Sequence, residues 1–314
     1  MKPLLVILGP TASGKTKLAV KVSKLIHGEI ISVDSRQIYR GMDIGTGKDL
    51  HEYTIDRIDI PYHLINIRDA GEQYNVNDFH RDFSKAYAEL DDRGSTTVLC
   101  GGTGFYLHSI LTGHAFNAIP VNEELRSLLI NLSKEELTDR FHTYNTEYQK
   151  LADTSTHKRL IRAIEISQYL TQNPELAQDW NQSVEKPEAV IYGLNPPVEI
   201  RRERISARLN ARLAEGMIEE VERLMASGLT PAQLIYYGLE YKYITLYLTG
   251  QLSLTEMKAR LETEIHRFAK RQMTFFRKME KDGLYIHWIN AMMETGEQSE
   301  FVVSHYEEAI NRLH

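Results

Sequence analysis

Five consecutive apolar residues, Leu4 to Leu8, follow Lys2-Pro3 and stop at Gly9-Pro10. A short unbroken run bounded by Gly and Pro predicts a strand covered on both faces. Lys15–Ile26 then takes a helical repeat, with Leu18, Val22 and Leu25 on one face. Ile30–Val33 is a second apolar run and Phe79–Leu90 a second helical pattern. Thr96–Cys100 is a third strand candidate, ending in Gly101-Gly102. This alternation predicts a parallel sheet with helices on its faces.

From Pro120 the pattern turns helical, over Glu123–Ile130, Lys134–Tyr144 and Lys158–Leu170, and no strand pattern returns before Ala189–Leu194. Residues 120–187 are therefore expected to form a helical insertion domain. The α/β core would consist of 1–119 and 188–314, with Pro187, Pro196 and Pro197 marking the return. Two long helices are expected beyond it. Glu199–Met225 carries the stripe Ile205, Leu209, Leu213, Met217, Val221 and Leu224, and Leu254–Lys281 carries Met257, Leu261, Ile265 and Phe268. The remainder indicates only a terminal helix.

Composition changes this picture little. A chain of 314 residues with 42% hydrophobic and 25% charged residues is that of an ordinary globular protein. Cys100 is the only cysteine, which excludes an internal disulfide and a Cys-rich zinc site, and suits a reducing cytosol. The 12 histidines show no metal-binding spacing. The first apolar run is too short for a signal-peptide core, and no stretch approaches the roughly 20 apolar residues of a membrane helix. A cytoplasmic protein without a membrane partner is expected. Net charge is −6, yet Val198–Lys281 holds 15 Lys and Arg against 11 Asp and Glu. That segment could face a phosphate backbone or simply be a set of solvated helices.

The chemistry enters at Gly9-Pro10-Thr11-Ala12-Ser13-Gly14-Lys15-Thr16, which reads G-x-x-x-x-G-K-[ST] between a strand and a helix. In such a P-loop, backbone N–H groups and the helix N-terminus cradle phosphate, Lys15 neutralises its oxygens, and the Thr16 hydroxyl is placed for Mg²⁺. The motif does not name the reaction, because most P-loop proteins hydrolyse or transfer a nucleotide γ-phosphate. Here Thr96–Cys100 ends in Gly101-Gly102-Thr103-Gly104 without an acid, while Ile30–Val33 ends in Asp34. Parallel sheets gather working residues at their C-terminal strand ends, so Asp34, the P-loop and Thr103 are expected to share one site. Asp34 could support a metal, accept a proton or merely cap the next helix. Gln37 has the donor and acceptor that read an adenine edge.

Taken together, Gly9–Thr16, the run Asp34-Ser35-Arg36-Gln37-Ile38-Tyr39-Arg40-Gly41-Met42-Asp43-Ile44-Gly45-Thr46, Tyr62-His63-Leu64-Ile65, Gly101–Leu107 and Ala269-Lys270-Arg271-Gln272-Met273-Thr274-Phe275-Phe276-Arg277 resemble the tRNA dimethylallyltransferases. The resemblance covers most of the chain. It implies that the P-loop holds the diphosphate of dimethylallyl diphosphate rather than the γ-phosphate of ATP. The prenyl group would pass to N6 of the adenine just 3′ of the tRNA anticodon, flipped into a channel. Asp34 would be the general base, Thr103 would line the channel, and Arg208 would help bind diphosphate. Contacts to the tRNA anticodon loop would come from Asp34, Ser35, Arg36, Gln37 and Thr103, and from Arg126, Lys158, Arg159, Lys242, Arg267 and Arg271. Mg²⁺ is the implied cofactor, and a monomer suffices.

The chain departs from the family's runs in places. Gly47 and Asp49 stand in the G-T-A-K-P run, Asn66 closes H-H-L-[IV]-D, Glu240 stands for the glycine of G-Y-K, and Ile265-His266-Arg267 stands for T-R-Q. Two other readings of the residues remain, a P-loop small-molecule or nucleotide kinase and a catalytically idle RNA-binding paralogue.

Overall fold

The computed structural model describes residues 2–113, 119–150, 152–174 and 186–313. Strand β1 (Leu4–Leu8) has no solvent-exposed residue, because alternate side chains enter separate cores on opposite faces of the sheet. Leu4, Val6 and Leu8 join one cluster, while Leu5 and Ile7 join another with Leu18 and Val22 of helix α1 (Lys15–Ile26). Then follow β2 (Gly28–Val33), the short antiparallel pair β3 (Thr54–Ile55) and β4 (Ile58–Asp59), and β5 (Tyr62–His63). Helix α2 (Val76–Asp92) begins in a capping box between Asn75 and Asp78. After it come β6 (Thr96–Gly101) and α3 (Gly104–Thr112).

The chain divides into two compact units, one reaching Leu111 and resuming at Pro187, the other Thr112–Lys186. The second contains α4 (Glu123–Leu129), α5 (Lys134–His142) and α6 (His157–Gln172), whose Leu129, Leu137, Phe141, Leu160 and Ile164 make its core. The first resumes with β7 (Ala189–Leu194), α7 (Val198–Ala214), α8 (Met217–Ala226), α9 (Pro231–Tyr236), α10 (Leu239–Leu248), α11 (Leu254–Lys281), β8 (Ile286–Ile289) and α12 (Thr295–Leu313).

Six strands form a parallel sheet in the order β5-β2-β6-β1-β7-β8, so the fold is the expected α/β one, a P-loop-like parallel sheet flanked by helices. Its register decides where chemistry can occur. Leu8 pairs with Gly101 and Gly193, and Val33 pairs with Gly101. Four strands thus end level, and the turns at Gly9, Asp34, Gly102 and Leu194 emerge along one edge.

Several expectations need correcting. The single helix expected over Glu199–Met225 is two, because Gly216 at φ 98° breaks it into α7 and α8. The apolar stripe runs through the break, which is why periodicity joined them. Leu25 and Phe268, assigned to buried faces, are 51% and 41% exposed. Strands β5 and β8 and helices α9 and α10 were not expected. β5 is only two residues long, and β8 lies at the sheet edge with Trp288 partly exposed.

Candidate active site

The loop after β1 coils back on itself, with Ser13 N–H donating to Pro10 O at 3.3 Å. Ala12 and Gly14 take positive φ, 61° and 90°, which turns successive N–H groups toward one concavity. Gly9 must lack a side chain, since a Cβ there would lie 2.6 Å from Ser13 Oγ and 2.8 Å from Leu194 O. Lys15 opens α1, and its Nζ donates to Pro10 O at 3.5 Å. Burial lowers its pKa, against the opposing pull of Cys100 and Asp34. The Thr16 hydroxyl hydrogen-bonds the sulfur of Cys100, whose thiol burial pushes up to about 11.

Asp34 leaves β2 in a tight turn, its Oδ1 accepting from Arg36 N–H at 2.9 Å. No helix follows, so the carboxylate orders a turn rather than capping a helix. In the turn that follows β6, Thr103 Oγ1 accepts from Ser35 N–H at 3.2 Å, which ties the two strand-end turns together. Gly101 is obligatory here, because a Cβ would lie 2.1 Å from Val33 O.

Helix α7 supplies cations. Arg208 donates to Thr11 Oγ1, and burial together with neighbouring Arg212 lowers its pKa to about 10. Arg212 donates to Asp49 Oδ2 at 2.9 Å. Glu240 is half-buried facing these arginines, and burial raises its pKa. A cavity of about 1120 Å³ joins all of this, lined by the P-loop, Asp34, Thr103, Arg204, Arg208 and Arg212, with Phe105, Tyr236 and Phe268 exposed in it. Among the described residues no group of three or more His, Cys, Asp or Glu could hold a metal ion.

Other sequence candidates occupy defined places. Gln37 lines the cavity, but both ends of its amide are bonded within the protein, Oε1 to Ser32 Oγ at 2.9 Å and Nε2 to Gly47 O at 3.0 Å. Arg36 donates to Tyr236 O at 3.0 Å and stacks over that ring. Lys242 lines the cavity and lies over Tyr243. Arg271 lines it too, over Phe268, whereas Arg267 is paired with Glu264. In the second unit Arg126 forms a two-pronged pair with buried Glu165 at 2.9 and 3.1 Å, Arg159 pairs with Asp153, and Lys158 is exposed. His63 hydrogen-bonds Glu29 at 2.8 Å.

The departures turn out to be mutually fitted. A Cβ at Gly47, where φ is 65°, would lie 2.2 Å from Arg212 Nη2. The same guanidinium engages Asp49, so Gly47, Asp49 and Arg212 form one arrangement. Asn66 accepts from buried Lys48, which also bonds Tyr39 O and Asp43. Sequence reasoning missed Glu220. It is 2% exposed and accepts from the backbone N–H groups of Asp43, Ile44 and Gly45 at 2.8, 2.8 and 3.0 Å, and from the Tyr241 hydroxyl. Gln272 on α11 stands in the closing motif, but no role was read for it: its Oε1 accepts from Thr11 N–H at 2.8 Å and its Nε2 donates to Gly102 O at 2.9 Å. Spacing along a helix neither marks Glu220 nor gives the Gln272 amide its two distant partners.

Comparison with known proteins decides the family. The model described as IPP transferase matches residues 37–279, and one described as isopentenyl transferase matches residues 2–63. The chain belongs to the IPP transferase family. A tRNA dimethylallyltransferase 2 of Bacteroides fragilis is 51% identical over 95% of this chain and 96% of its own length. One of Porphyromonas gingivalis is 50% identical over 96% and 99%. Among solved structures, the full-length tRNA isopentenylpyrophosphate transferase of Bacillus halodurans aligns with TM-score 0.71 at 29% identity, covering 100% of this chain and 99% of that one. A eukaryotic dimethylallyltransferase acting on tRNA shares the fold, with TM-score 0.75 at 22% identity over 92% of this chain and 74% of its own. This IPP transferase therefore has its closing motif, Ala269–Arg277, on the helix that also reaches the P-loop.

Proposed function

We propose that this chain transfers a dimethylallyl group from dimethylallyl diphosphate to N6 of the adenine adjacent, on the 3′ side, to the anticodon of tRNA. The observation that carries the reading is one cavity joining an anion cradle to a carboxylate and a hydroxyl on neighbouring strand ends. The names of relatives 50% and 51% identical over nearly their whole length supply the substrates.

The residues have balanced roles. The C1–O bond of the donor breaks and its electron pair leaves on the diphosphate. Lys15, the loop N–H groups and Arg208 stabilise the charge that develops there. N6 attacks C1 to form the C–N bond, and its surplus proton passes to the Asp34 carboxylate. Thr103 shares the turn that holds Asp34 and helps orient the amine. The Thr16 hydroxyl offers a hard oxygen that suits Mg²⁺, an ion that keeps several waters and draws on substrate phosphates for the rest of its shell. When bound it would add positive charge to the leaving group. Arg36, Lys242 and Arg271 at the cavity, with Lys158 and Arg159 on the second unit, are the cations proposed for the RNA.

The test uses purified protein, Mg²⁺, labelled dimethylallyl diphosphate and unmodified tRNA, with AMP as control acceptor. Label enters tRNA and not AMP. Asp34→Asn lowers the transfer rate by about 10²–10⁴-fold while donor binding persists. Label in AMP alone refutes tRNA as acceptor, and an undiminished rate in Asp34→Asn refutes the base.

A further inference from the structure

Thr11 is the third residue of the P-loop, and two other elements hold it. Arg208 of α7 takes its hydroxyl, and Gln272 of α11 takes its N–H at 2.8 Å. The other end of the same Gln272 amide grips Gly102 O at 2.9 Å. Gly102 precedes Thr103, Thr103 holds Ser35 N–H, and Ser35 follows Asp34. An unbroken path of short contacts therefore runs from the phosphate loop through one side chain to the turn that carries the carboxylate.

The surroundings fix that side chain in place. Gln272 is 8% exposed and its bond to Gly102 O is buried, so water is no ready substitute at that end of the amide. A Cβ at Gly102 would lie 2.4 Å from Gln272 Nε2, so glycine is what lets the amide reach the carbonyl. One turn further along α11, Phe275 fills the space over Gly104, where a Cβ would lie 2.6 Å from its Cδ1. A buried primary amide with both ends bonded to two different loops works as a spacer of fixed length. A carboxylate would repel Gly102 O, and a longer cation could not accept from Thr11.

We infer that Gln272 is a positioning residue for the transfer step, setting the separation between the diphosphate cradle and the Asp34–Thr103 turn. This rests on the function proposed above. The reaction joins two substrates held on those two loops, and its rate depends on holding the reacting atoms about 3–3.5 Å apart and in line. Gln272 touches neither reacting atom and acts through the loops it joins.

The experiment compares wild type, Gln272→Met and Gln272→Glu in single-turnover transfer to tRNA. Donor affinity, KM for tRNA and thermal midpoint are measured alongside. Gln272→Met keeps the bulk and removes both bonds. It is expected to lower the single-turnover rate about 10–100-fold. Its KM for tRNA stays within about threefold, and its folded fraction at the assay temperature stays that of wild type. Gln272→Glu keeps the acceptor for Thr11 and loses the donor to Gly102, so its rate stays well below wild type although Thr11 is still held. Wild-type rates in both variants overturn the inference. So does a loss in Gln272→Met that merely tracks a lower midpoint and a proportionate rise in KM, which would make the residue a structural one. A wild-type protein that fails to label tRNA refutes the proposed function itself, which distinguishes the two failures.

Discussion

Lys15 stands where burial and neighbouring charge pull in opposite directions. Burial takes its pKa below the ordinary lysine value of 10.5, although Cys100 and Asp34 oppose the shift. Donor binding needs the ammonium form. In the free protein that form is lost as pH rises through the lowered pKa, and bound diphosphate restores it by pairing with the charge. The alkaline limb of kcat/KM for dimethylallyl diphosphate is therefore expected at lower pH than the limb of kcat, because the first reports the free protein and the second the complex. Coincident limbs in a pH–rate series would show that Lys15 gains nothing from the donor. At this scale the sequence is most legible where a residue follows a strand. Gly9–Thr16, Asp34 and Thr103 could be read from the chain because parallel strands deliver their ends to one edge. Arg208 is one of several arginines on α7, and only the family resemblance singled it out. Glu220 went unread, and Gln272 was read only as part of the closing motif, because the loops they hold lie 170 or more residues away, as with Gly102 and Gly45.

Helix α8 acts on the site through a single side chain. The Glu220 carboxylate gathers three consecutive N–H groups of residues 43–45 and the Tyr241 hydroxyl of α10. Residues 43–45, which follow the Asp34 turn, are thereby fastened to α8 and to α10, whose Leu239, Glu240 and Lys242 line the cavity. Glu220→Ala removes the acceptor of all four donors and leaves the buried ones, Gly45 N–H and the Tyr241 hydroxyl, unsatisfied, at about 1–3 kcal/mol for each uncompensated group. The expected outcome is a clear fall in thermal midpoint and faster amide exchange over residues 42–48, with exchange in β1 and β6 unchanged. Protection of 42–48 equal to wild type would show that the loop is held without the carboxylate. The elements themselves were legible in proportion to their length and period. β1, α1 and α11 carry unbroken runs or stripes, whereas β5 has two residues and the α7–α8 junction hides in a stripe that continues past Gly216. The two misreadings have different causes: two residues are too few to show a period, and periodicity records which face is buried but is blind to a change of axis.

A protein of net charge −6 that works on a polyanion must place its cations locally, and this one has 15 Lys and Arg against 11 Asp and Glu over Val198–Lys281. Much of that charge is answered internally, as in Arg267 with Glu264 and Arg212 with Asp49. Arg271 is exposed at the cavity, with its Nη1 4.0 Å from Glu264 Oε2. Arg271→Ala is expected to weaken tRNA binding and to reduce the slope of log affinity against log salt by about 1. A slope equal to wild type would assign Arg271 to the helix surface instead. Cys100 has a consequence of a practical kind. It is the chain's single thiol, 5% exposed and held up to about 11, so it stays un-ionised at neutral pH, where thiol-directed dyes require thiolate. The native chain thus behaves toward maleimides as if it were cysteine-free. One cysteine introduced at an exposed position such as Leu128 would take up a fluorophore alone, and the arrival of RNA could be followed by eye-safe spectroscopy in real time without first removing any native residue.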